Sequence, residues 1–234
     1  MRLWIKFTKE SPLRFLSHLD LMRAWQRAIR RARLPVAYSA GFNPHPKISF
    51  ASAMAVGITS EAEYLDIQFT ESLTHEQLSA LQQAVPQGMA ILEWREVQEE
   101  APALMALVRA AQWEVPLENT QRPQLQQKID DIFKAPELIV QRKGKKGIKT
   151  VDIKPMIYRL KLEDGRLMML LASGGEGGVR PREILALLDV PEAEKRLHRI
   201  ALLVGTESCL QSPLHVLLNG KEVSVNAKED CYQL

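Results

Sequence analysis

The chain has 234 residues, of which 46% are hydrophobic and 25% charged, ordinary values for a globular protein with one large or two small domains. It has no run of roughly 18 apolar residues, and its N-terminus lacks the apolar region of a signal peptide. These features argue against membrane-spanning and secreted classes and predict a cytoplasmic protein. The two cysteines, Cys209 and Cys231, fit a reducing compartment and need not pair.

The net charge of +3 is distributed unevenly along the chain. Residues 1–50 hold ten Lys or Arg against two acids, Glu10 and Asp20. Residues 51–100 hold Arg95 alone against nine acids. This asymmetry predicts a basic patch on one side of the first half.

The first predicted element is a half-buried strand. In residues 2–8 apolar and polar side chains alternate, with Leu3, Ile5 and Phe7 on one side. Trp4 falls on the other side.

The second predicted element is a helix with two different faces. Ser17 is a capping residue, and Asp20 is expected to complete a capping box. The helical pattern runs to Leu34, and Pro35 is expected to end it. One arc of the helix is apolar and the opposite arc is basic. The apolar arc consists of Leu21, Met22, Trp25, Ala28, Ile29 and Ala32. The basic arc, here called the arginine row, consists of Arg23, Arg27, Arg30 and Arg31.

A loop with two prolines follows the helix. In residues 41–47 (GFNPHPK) the prolines flank His45 and restrict the backbone. Such rigidity favours a loop shaped for contact over a purely structural turn, and it makes Asn43, His45 and Lys47 candidate contact residues.

The remaining elements of the first half complete a known order. Residues 47–54 and 63–69 are predicted strands, Thr74 and Gln77 form a capping box at the start of a second helix, and residues 89–97 form a last strand. The resulting order, βαββαβ, is that of a ferredoxin-like domain, an antiparallel sheet with both helices on one face.

The second half repeats this order of elements, although its sequence does not repeat. The predicted fold is α+β, with two tandem ferredoxin-like domains that each have an antiparallel sheet. The predicted elements are a strand at 113–117, a helix at 124–133, a hairpin at 156–172, a helix at 181–188 and a strand at 197–204. A basic β-hairpin (138–153) is inserted, and a second hairpin (214–225) turns at Asn219-Gly220, a type I′ signal. The predicted organisation is a first domain at 1–98, a connector at 99–111 and a second domain at 112–234.

Part of the sequence resembles a known family. The segment RFLSHLDLMRAWQRAIRRARLPVAYSAGFNPHPKISFASAMAVGITSEAEYLDI resembles the N-terminal signature of the radical SAM-linked protein family, a bacterial domain of unknown function. The resemblance continues in APALMALVRAAQWEV, VDIKPMI and GGVRPREILALL. Family members are encoded beside a radical SAM enzyme or fused to one, which implies a separate radical SAM enzyme as partner. Two cysteines cannot supply the three-cysteine motif of such an enzyme, and no catalytic residue or cofactor carries over.

Three features, two of them basic and one rich in glycine, are candidates for phosphate binding. The arginine row suits phosphates because guanidinium forms forked hydrogen bonds to them, whereas the alternative is a solvated helix face. The tip of the inserted hairpin could meet an RNA groove or be a solvated tip. Residues 173–178 could cradle an anion, but a flexible connector is the favoured interpretation. The candidate nucleic-acid or partner contacts are Arg14, His18, Arg23, Arg27, Arg30, Arg31, Asn43, His45, Lys47, Arg142, Lys143, Lys145, Lys146 and Arg180.

The two imidazoles near the arginine row could also serve in catalysis. His18 or His45 could act as a general base in RNA cleavage. His18, however, falls on the apolar arc, where a structural histidine is more common. The pair lacks metal-site spacing, so neither a catalytic nor a metal site is predicted.

Three functions remain open from the sequence. The preferred one is a non-catalytic RNA-binding or adaptor protein that presents RNA or a ribonucleoprotein to the radical SAM enzyme, in RNA or ribosome modification; no DNA is expected. In a sheet that binds RNA, Trp4, Phe50 and Tyr64 are the candidates to stack on bases. The alternatives are an RNA-processing enzyme (endonuclease-like or RNA-modifying) that uses His45 or His18, and a pure protein–protein adaptor.

Overall fold

The computed structural model describes residues 1–117, 122–144, 147–175, 177–206, 209–219, 222–224 and 232. The strands are β1 (Arg2–Lys9), β2 (Ile48–Phe50), β3 (Thr59–Gln68), β4 (Ile91–Val97), β5 (Val108–Pro116), β6 (Ile139–Gly144), β7 (Gly147–Asp152), β8 (Ile157–Glu163), β9 (Arg166–Ala172), β10 (His198–Thr206), β11 (Cys209–Gln211), β12 (Leu217–Asn219) and β13 (Glu222–Ser224). The helices are α1 (His18–Arg31), α2 (His75–Ala84), α3 (Leu104–Leu107), α4 (Arg122–Lys134) and α5 (Pro181–Leu187). The protein is therefore α+β, as the sequence predicts.

Strands from both halves of the chain form a single, mostly antiparallel sheet. Seven strands follow the order β4-β1-β3-β10-β5-β9-β8, with β2 paired to β3 and β11 to β10. The two halves meet where β10 runs parallel to β3, through the pairs His198 with Thr59 and Arg199 with Ser60. The sequence predicted separate sheets, and the β3–β10 pairing corrects that expectation.

The boundaries of several elements differ from the sequence predictions. The capping box of α2 is confirmed, since Thr74 and Gln77 each bond the other's backbone. The strand β5 begins at Val108, inside the predicted connector, and β2 is much shorter than the predicted strand.

Cys209 is disulfide-bonded, and Cys231 lies outside the described residues.

The first half of the sheet is covered on both faces. Leu3, Ile5 and Phe7 pack in one apolar cluster with residues of α1 and α2. Trp4 points to the opposite face, as predicted, and joins a second cluster that includes residues of α4 and α5. Because both faces of β1 are buried, the prediction of a half-buried strand was wrong.

The aromatic residues that were candidates to stack on RNA bases are buried in the sheet. Trp4 is 0% exposed, and Phe50 and Tyr64 are each 2% exposed. A base cannot reach any of these rings, so stacking of RNA bases on Trp4, Phe50 or Tyr64 is excluded.

Two buried ion pairs lie on β3, next to the point where the halves meet. The Arg199 side chain is 1% exposed and donates to the Glu63 carboxylate, which is 3% exposed. Nearby on the same strand, Arg2 donates a fork of two hydrogen bonds to Asp66, at 2.9 and 2.6 Å. Removing one partner of such a pair leaves an uncompensated buried charge, so these pairs lock the arrangement of strands.

Candidate functional site: a basic cleft at the end of the first helix

The C-terminal end of α1 and the segment after it enclose a cleft of about 660 Å³. Here it is called the α1 cleft. It is lined by Gln26, Ile29, Arg30, Arg33, Leu34, Pro35, Val36, Tyr38, Pro44, His45, Pro46 and Ile48. It therefore brings together two features that the sequence singled out separately, the arginine row through Arg30 and the proline-rich loop through His45.

The orientation of the arginine row follows from the capping and packing of α1. The Ser17 hydroxyl accepts from the Asp20 amide at 3.2 Å, as expected of a capping residue. The Asp20 carboxylate, in turn, accepts from the Ser17 hydroxyl at 2.6 Å rather than from the Ser17 amide, so the predicted capping box does not form as expected. On the apolar arc, Trp25 is fully buried and its ring meets Phe7 edge-on, 4.9 Å between centroids. The opposite arc, with all four members of the arginine row, is exposed.

The helix ends earlier than predicted, and Arg33 is the reason. The Leu34 amide donates to the Ile29 carbonyl and the Arg33 amide to the Arg30 carbonyl, both at 3.1 Å, which is a Schellman motif. Its left-handed position is occupied by Arg33, with φ of +53°, where glycine is usual. A non-glycine residue pays roughly 1–2 kcal/mol for that conformation. The chain thus turns away from the helix before Pro35.

Backbone hydrogen bonds hold the segment that faces α1. The Ser39 amide donates to the His45 carbonyl at 2.8 Å, and the Ser39 hydroxyl accepts from the His45 amide at 3.0 Å. Tyr38 pairs with Pro46 in an isolated β-bridge, and the Lys47 amide donates to the Ala37 carbonyl at 2.8 Å. His45 and Tyr38 are therefore held in place before any partner arrives.

The cleft is basic and its guanidinium groups are free. The guanidinium groups of Arg30 and Arg33 have no hydrogen-bond or ion-pair partner among the described residues, and neither does that of the neighbouring Arg27. None of the described side chains that line the cleft is acidic. Arg23, by contrast, pairs with Asp20 at 3.2 Å, and Arg31 donates to the Ala84 carbonyl.

The Asp20 carboxylate lies at the end of the arginine row that is farther from the cleft. It accepts hydrogen bonds there from Ser17 and Arg23. The pKa of Asp20 is lowered, first by the hydrogen bond from Ser17 and then by Arg23. The positive charge of the row is thus partly neutralised at the start of α1, and it is unopposed at the cleft end.

Other predicted contact residues near α1 lie outside the cleft. The Arg14 guanidinium donates to the carbonyls of Gly57 and Lys195, so it ties chain segments together. His18 is half-buried and edge-on to the Phe50 ring, 5.1 Å between centroids, as expected of a structural histidine. Asn43 and Lys47 are exposed but do not line the cleft.

The inserted hairpin is basic, but its first arginine faces inward. Arg142 donates two hydrogen bonds to the Glu183 carboxylate, at 2.8 and 2.6 Å, and one to the Gly178 carbonyl at 2.7 Å. It therefore anchors the hairpin to α5. Lys143 is exposed, whereas Lys145 and Lys146 lie outside the described residues.

The glycine-rich segment passes close to neighbouring backbone at two of its glycines. A side chain at Gly174 would come within 2.3 Å of the Val108 carbonyl oxygen, and one at Gly178 within 2.6 Å of the Ala172 carbonyl oxygen. Arg180 is exposed and lines a separate groove of about 410 Å³ beside this segment. These two positions therefore need glycine, and the interpretation of the segment as a flexible connector stays a prediction.

The sequence missed Arg33, Tyr38 and Gln26 as members of the site. Arg33 lies just after the arginine row. Because the helical pattern of the sequence continues through it to Leu34, the pattern does not indicate that Arg33 ends the helix. A charged residue immediately before a Leu-Pro pair was the available signal. Tyr38 and Gln26 carry no comparable signal.

Among the described residues no helix is long and apolar enough to cross a membrane, and no three metal-ligating side chains come together.

Comparisons with known proteins give limited similarity in structure. No curated protein matches the chain. One similar solved structure is entitled "Crystal Structure of a Cbf5-Nop10-Gar1 Complex", with 9% identity over 86% of this chain and a TM-score of 0.43. The alignment spans about half of that chain, 48%. Another is an unknown protein from Galdieria sulphuraria, with 11% identity over 85% of this chain and 95% of that one, and a TM-score of 0.27.

The match in sequence is more extensive. A family model described as "Uncharacterized protein conserved in bacteria (DUF2344)" matches residues 2–181. The chain belongs to this family.

Proposed function

We propose that this protein is a non-catalytic RNA-binding protein that uses the exposed face of α1 and the α1 cleft to hold single-stranded RNA. The observation that carries the proposal is the set of guanidinium groups at one end of α1, those of Arg27, Arg30 and Arg33, that have no partner in the part of the chain that the structure describes. Free guanidinium groups with no acid beside them suit the phosphates of a nucleic acid. Because the sheet aromatics are buried, binding uses the helix and the cleft.

Single-stranded RNA fits this surface better than a duplex. An RNA duplex is recognised mainly across its wide minor groove, which needs an extended contact surface. The α1 cleft is short, and an imidazole and a phenol lie beside its guanidinium groups. These are groups that stack on or bond to unpaired bases.

Two finer inferences complete the proposal. We infer that each half is ferredoxin-like, because β4-β1-β3-β2 and β10-β5-β9-β8 place corresponding strands in the same order. The resemblance to the radical SAM-linked family supports a separate radical SAM enzyme as the partner, with RNA or a ribosomal particle as the shared substrate.

The test is the salt dependence of RNA binding. For the variant Arg27→Gln, Arg30→Gln and Arg33→Gln, the slope of log affinity against log salt should flatten by about 2, since each phosphate contact to a single strand contributes about 0.7. The control removes three cations from the other half, as Arg109→Gln, Lys161→Gln and Arg166→Gln. An unchanged slope in the first variant, or equal flattening in the control, contradicts the proposal.

The enzyme alternative has one candidate residue in the cleft, His45. If His45 were a general acid or base, its loss would reduce turnover on the order of 100-fold or more. We expect bulk small RNA to stay intact when incubated with the protein, with or without divalent metal. Cleavage that is abolished by His45→Ala would favour the enzyme.

A further inference from the structure

We propose that the α1 cleft is an end-recognition site, which holds the terminal nucleotide of an RNA strand together with a terminal phosphate. This inference rests on the proposed RNA-binding function and adds the substrate class of its cleft. The exposed arginines outside the cleft would then contact the following phosphodiesters.

The size of the cleft is sufficient for one nucleotide. Sites for small molecules span roughly 300–1,000 Å³, and the α1 cleft has about 660 Å³. The helix α1 bounds it on one side and residues 34–48 on the other. The terminal nucleotide of an RNA strand can end inside such a cleft. An internal nucleotide would need room for the strand to continue out of the cleft on the other side.

The charge in the cleft fits a terminal phosphate better than an internal one. Two free guanidinium groups, Arg30 and Arg33, line the same cleft as His45. A phosphodiester carries one negative charge, whereas a terminal phosphate monoester carries about −1.5 to −2 near pH 7. The monoester therefore matches both guanidinium groups, and a diester would leave one of them unmatched.

The rest of the lining suits a base and a sugar. Tyr38 is 54% exposed, and the floor includes Ile29, Leu34 and Ile48. Stacking on an aromatic ring is tolerant of base identity, since every base has a π-face. The site should thus read the end of the strand more than its sequence.

The end of α1 can be compared with the end of α5, which has the same backbone motif. The motif that ends α1 is repeated at the end of α5, where Asp189 occupies the left-handed position with φ of +56°. Asp189 has an ion-pair partner in the protein, Lys128. Arg33 has none among the described residues, yet it bears the same backbone cost. Of these two side chains, that of Arg33 is thus the one available to a ligand in the α1 cleft.

The experiment compares three ten-nucleotide oligouridines by fluorescence anisotropy at pH 7.5. One carries a 5′-phosphate, one a 3′-phosphate, and one hydroxyl groups at both ends. We expect wild-type protein to bind one phosphorylated oligonucleotide about tenfold more tightly than the hydroxyl form, the scale of one charge-assisted hydrogen bond. The end that is preferred identifies which terminus enters the cleft.

Variants separate the cleft from the helix face. Arg33→Gln should reduce the preference to under about threefold, because the second guanidinium is lost. Arg27→Gln, outside the cleft, should weaken all three oligonucleotides by similar factors. Thermal unfolding of each variant shows that the fold is intact, and Arg33→Gly provides a second substitution that the backbone accommodates.

The outcomes distinguish this inference from the proposed function. Equal affinity for all three oligonucleotides, with salt-dependent binding retained, overturns end recognition and leaves the RNA-binding proposal standing. A preference that survives in Arg33→Gln also overturns it. Absence of binding to any of the three contradicts both proposals.

Discussion

Arginine serves opposite purposes in two regions of this protein. Where the halves meet, Arg199 is almost completely buried and is neutralised by Glu63, 136 residues away in the chain. At the end of α1, Arg30 and Arg33 are exposed and have no partner among the described residues. The buried arginine holds the sheet together, whereas the exposed ones stabilise nothing that the structure shows.

Because of this difference, arginine substitutions can separate effects on folding stability from effects on binding affinity. Substitution of a buried, paired arginine should change stability. Replacing the free guanidinium of an exposed arginine by an amide should change affinity alone. Arg142, paired with Glu183 at the surface of α5, lies between these extremes.

The largest effect should come from the buried pair. Glu63→Gln leaves the charge of Arg199 without its counter-ion, and we expect a loss of about 3–5 kcal/mol in the free energy of unfolding. The matched control is Glu61→Gln on the same strand, where the side chain is 56% exposed. Urea denaturation measures both. If both variants lose a similar free energy of unfolding, the Glu63–Arg199 pair contributes no more to stability than an exposed side chain, and the contrast between the two regions fails.

An intermediate effect should come from Arg142→Gln, which removes the fork to Glu183. We expect a loss of about 1.5–3 kcal/mol near pH 7, the scale of hydrogen bonds to a charged group. The neighbouring exposed residue provides the control as Lys143→Gln.

The contribution of Arg142 should also depend on pH. Burial alone would raise the pKa of Glu183, but hydrogen bonds from Arg142 and the Arg180 amide outweigh it and hold the pKa below its ordinary value of 4.5. The stabilisation is thus complete above pH 4.5 and is lost as pH falls through the lowered pKa of the folded state. Denaturation curves of wild type and Arg142→Gln should converge in acid. A gap that persists unchanged below that range would contradict this account.

A smaller effect, of opposite sign, is expected at the two helix ends. Arg33→Gly removes the cost of the left-handed conformation and should raise stability by up to about 1 kcal/mol. Asp189→Gly should gain less, because it also loses the ion pair with Lys128, worth up to about 1 kcal/mol at the surface. The comparison is made by urea denaturation. A loss in Arg33→Gly of more than about 1 kcal/mol would mean that Arg33 is needed for the fold.

The smallest effect on stability should be at His45. The side chain is exposed, so His45→Ala should change the free energy of unfolding by less than about 0.5 kcal/mol. The same variant should nonetheless bind RNA more weakly, which is measured by anisotropy beside the denaturation curve. A large stability loss with RNA binding intact would make the proline-rich loop a structural turn.

Local features of the fold could be predicted from the sequence, and long-range ones could not. The alternation in β1 places Trp4 on the opposite face, and the Thr74-Gln77 spacing identifies the start of α2, since both depend on near neighbours. The pairing of β10 with β3, by contrast, depends on how two halves meet, for which no local pattern exists. Trp4 and Tyr64 are buried for the same reason, because residues of the second half pack against them.

The candidate site shows the same division. The apolar arc of α1 predicts which arginines are exposed, and the two prolines single out His45. What the sequence cannot supply is which arginines find partners. Arg142 looks as free as Arg30 in the sequence, yet its partner, Glu183, lies 41 residues away.

The parallel pairing of β3 with β10 has a consequence for synthesis of the chain. The ribosome completes β3 about 130 residues before β10 begins, so during that interval the start of β3, at Thr59 and Ser60, lacks its parallel partner, and Glu63 lacks Arg199. Unpaired edges and uncovered apolar surface are where nascent chains aggregate. A truncated protein that ends before β10 would keep this vulnerable state permanently, and cells that express such a fragment should accumulate it in the insoluble fraction or degrade it.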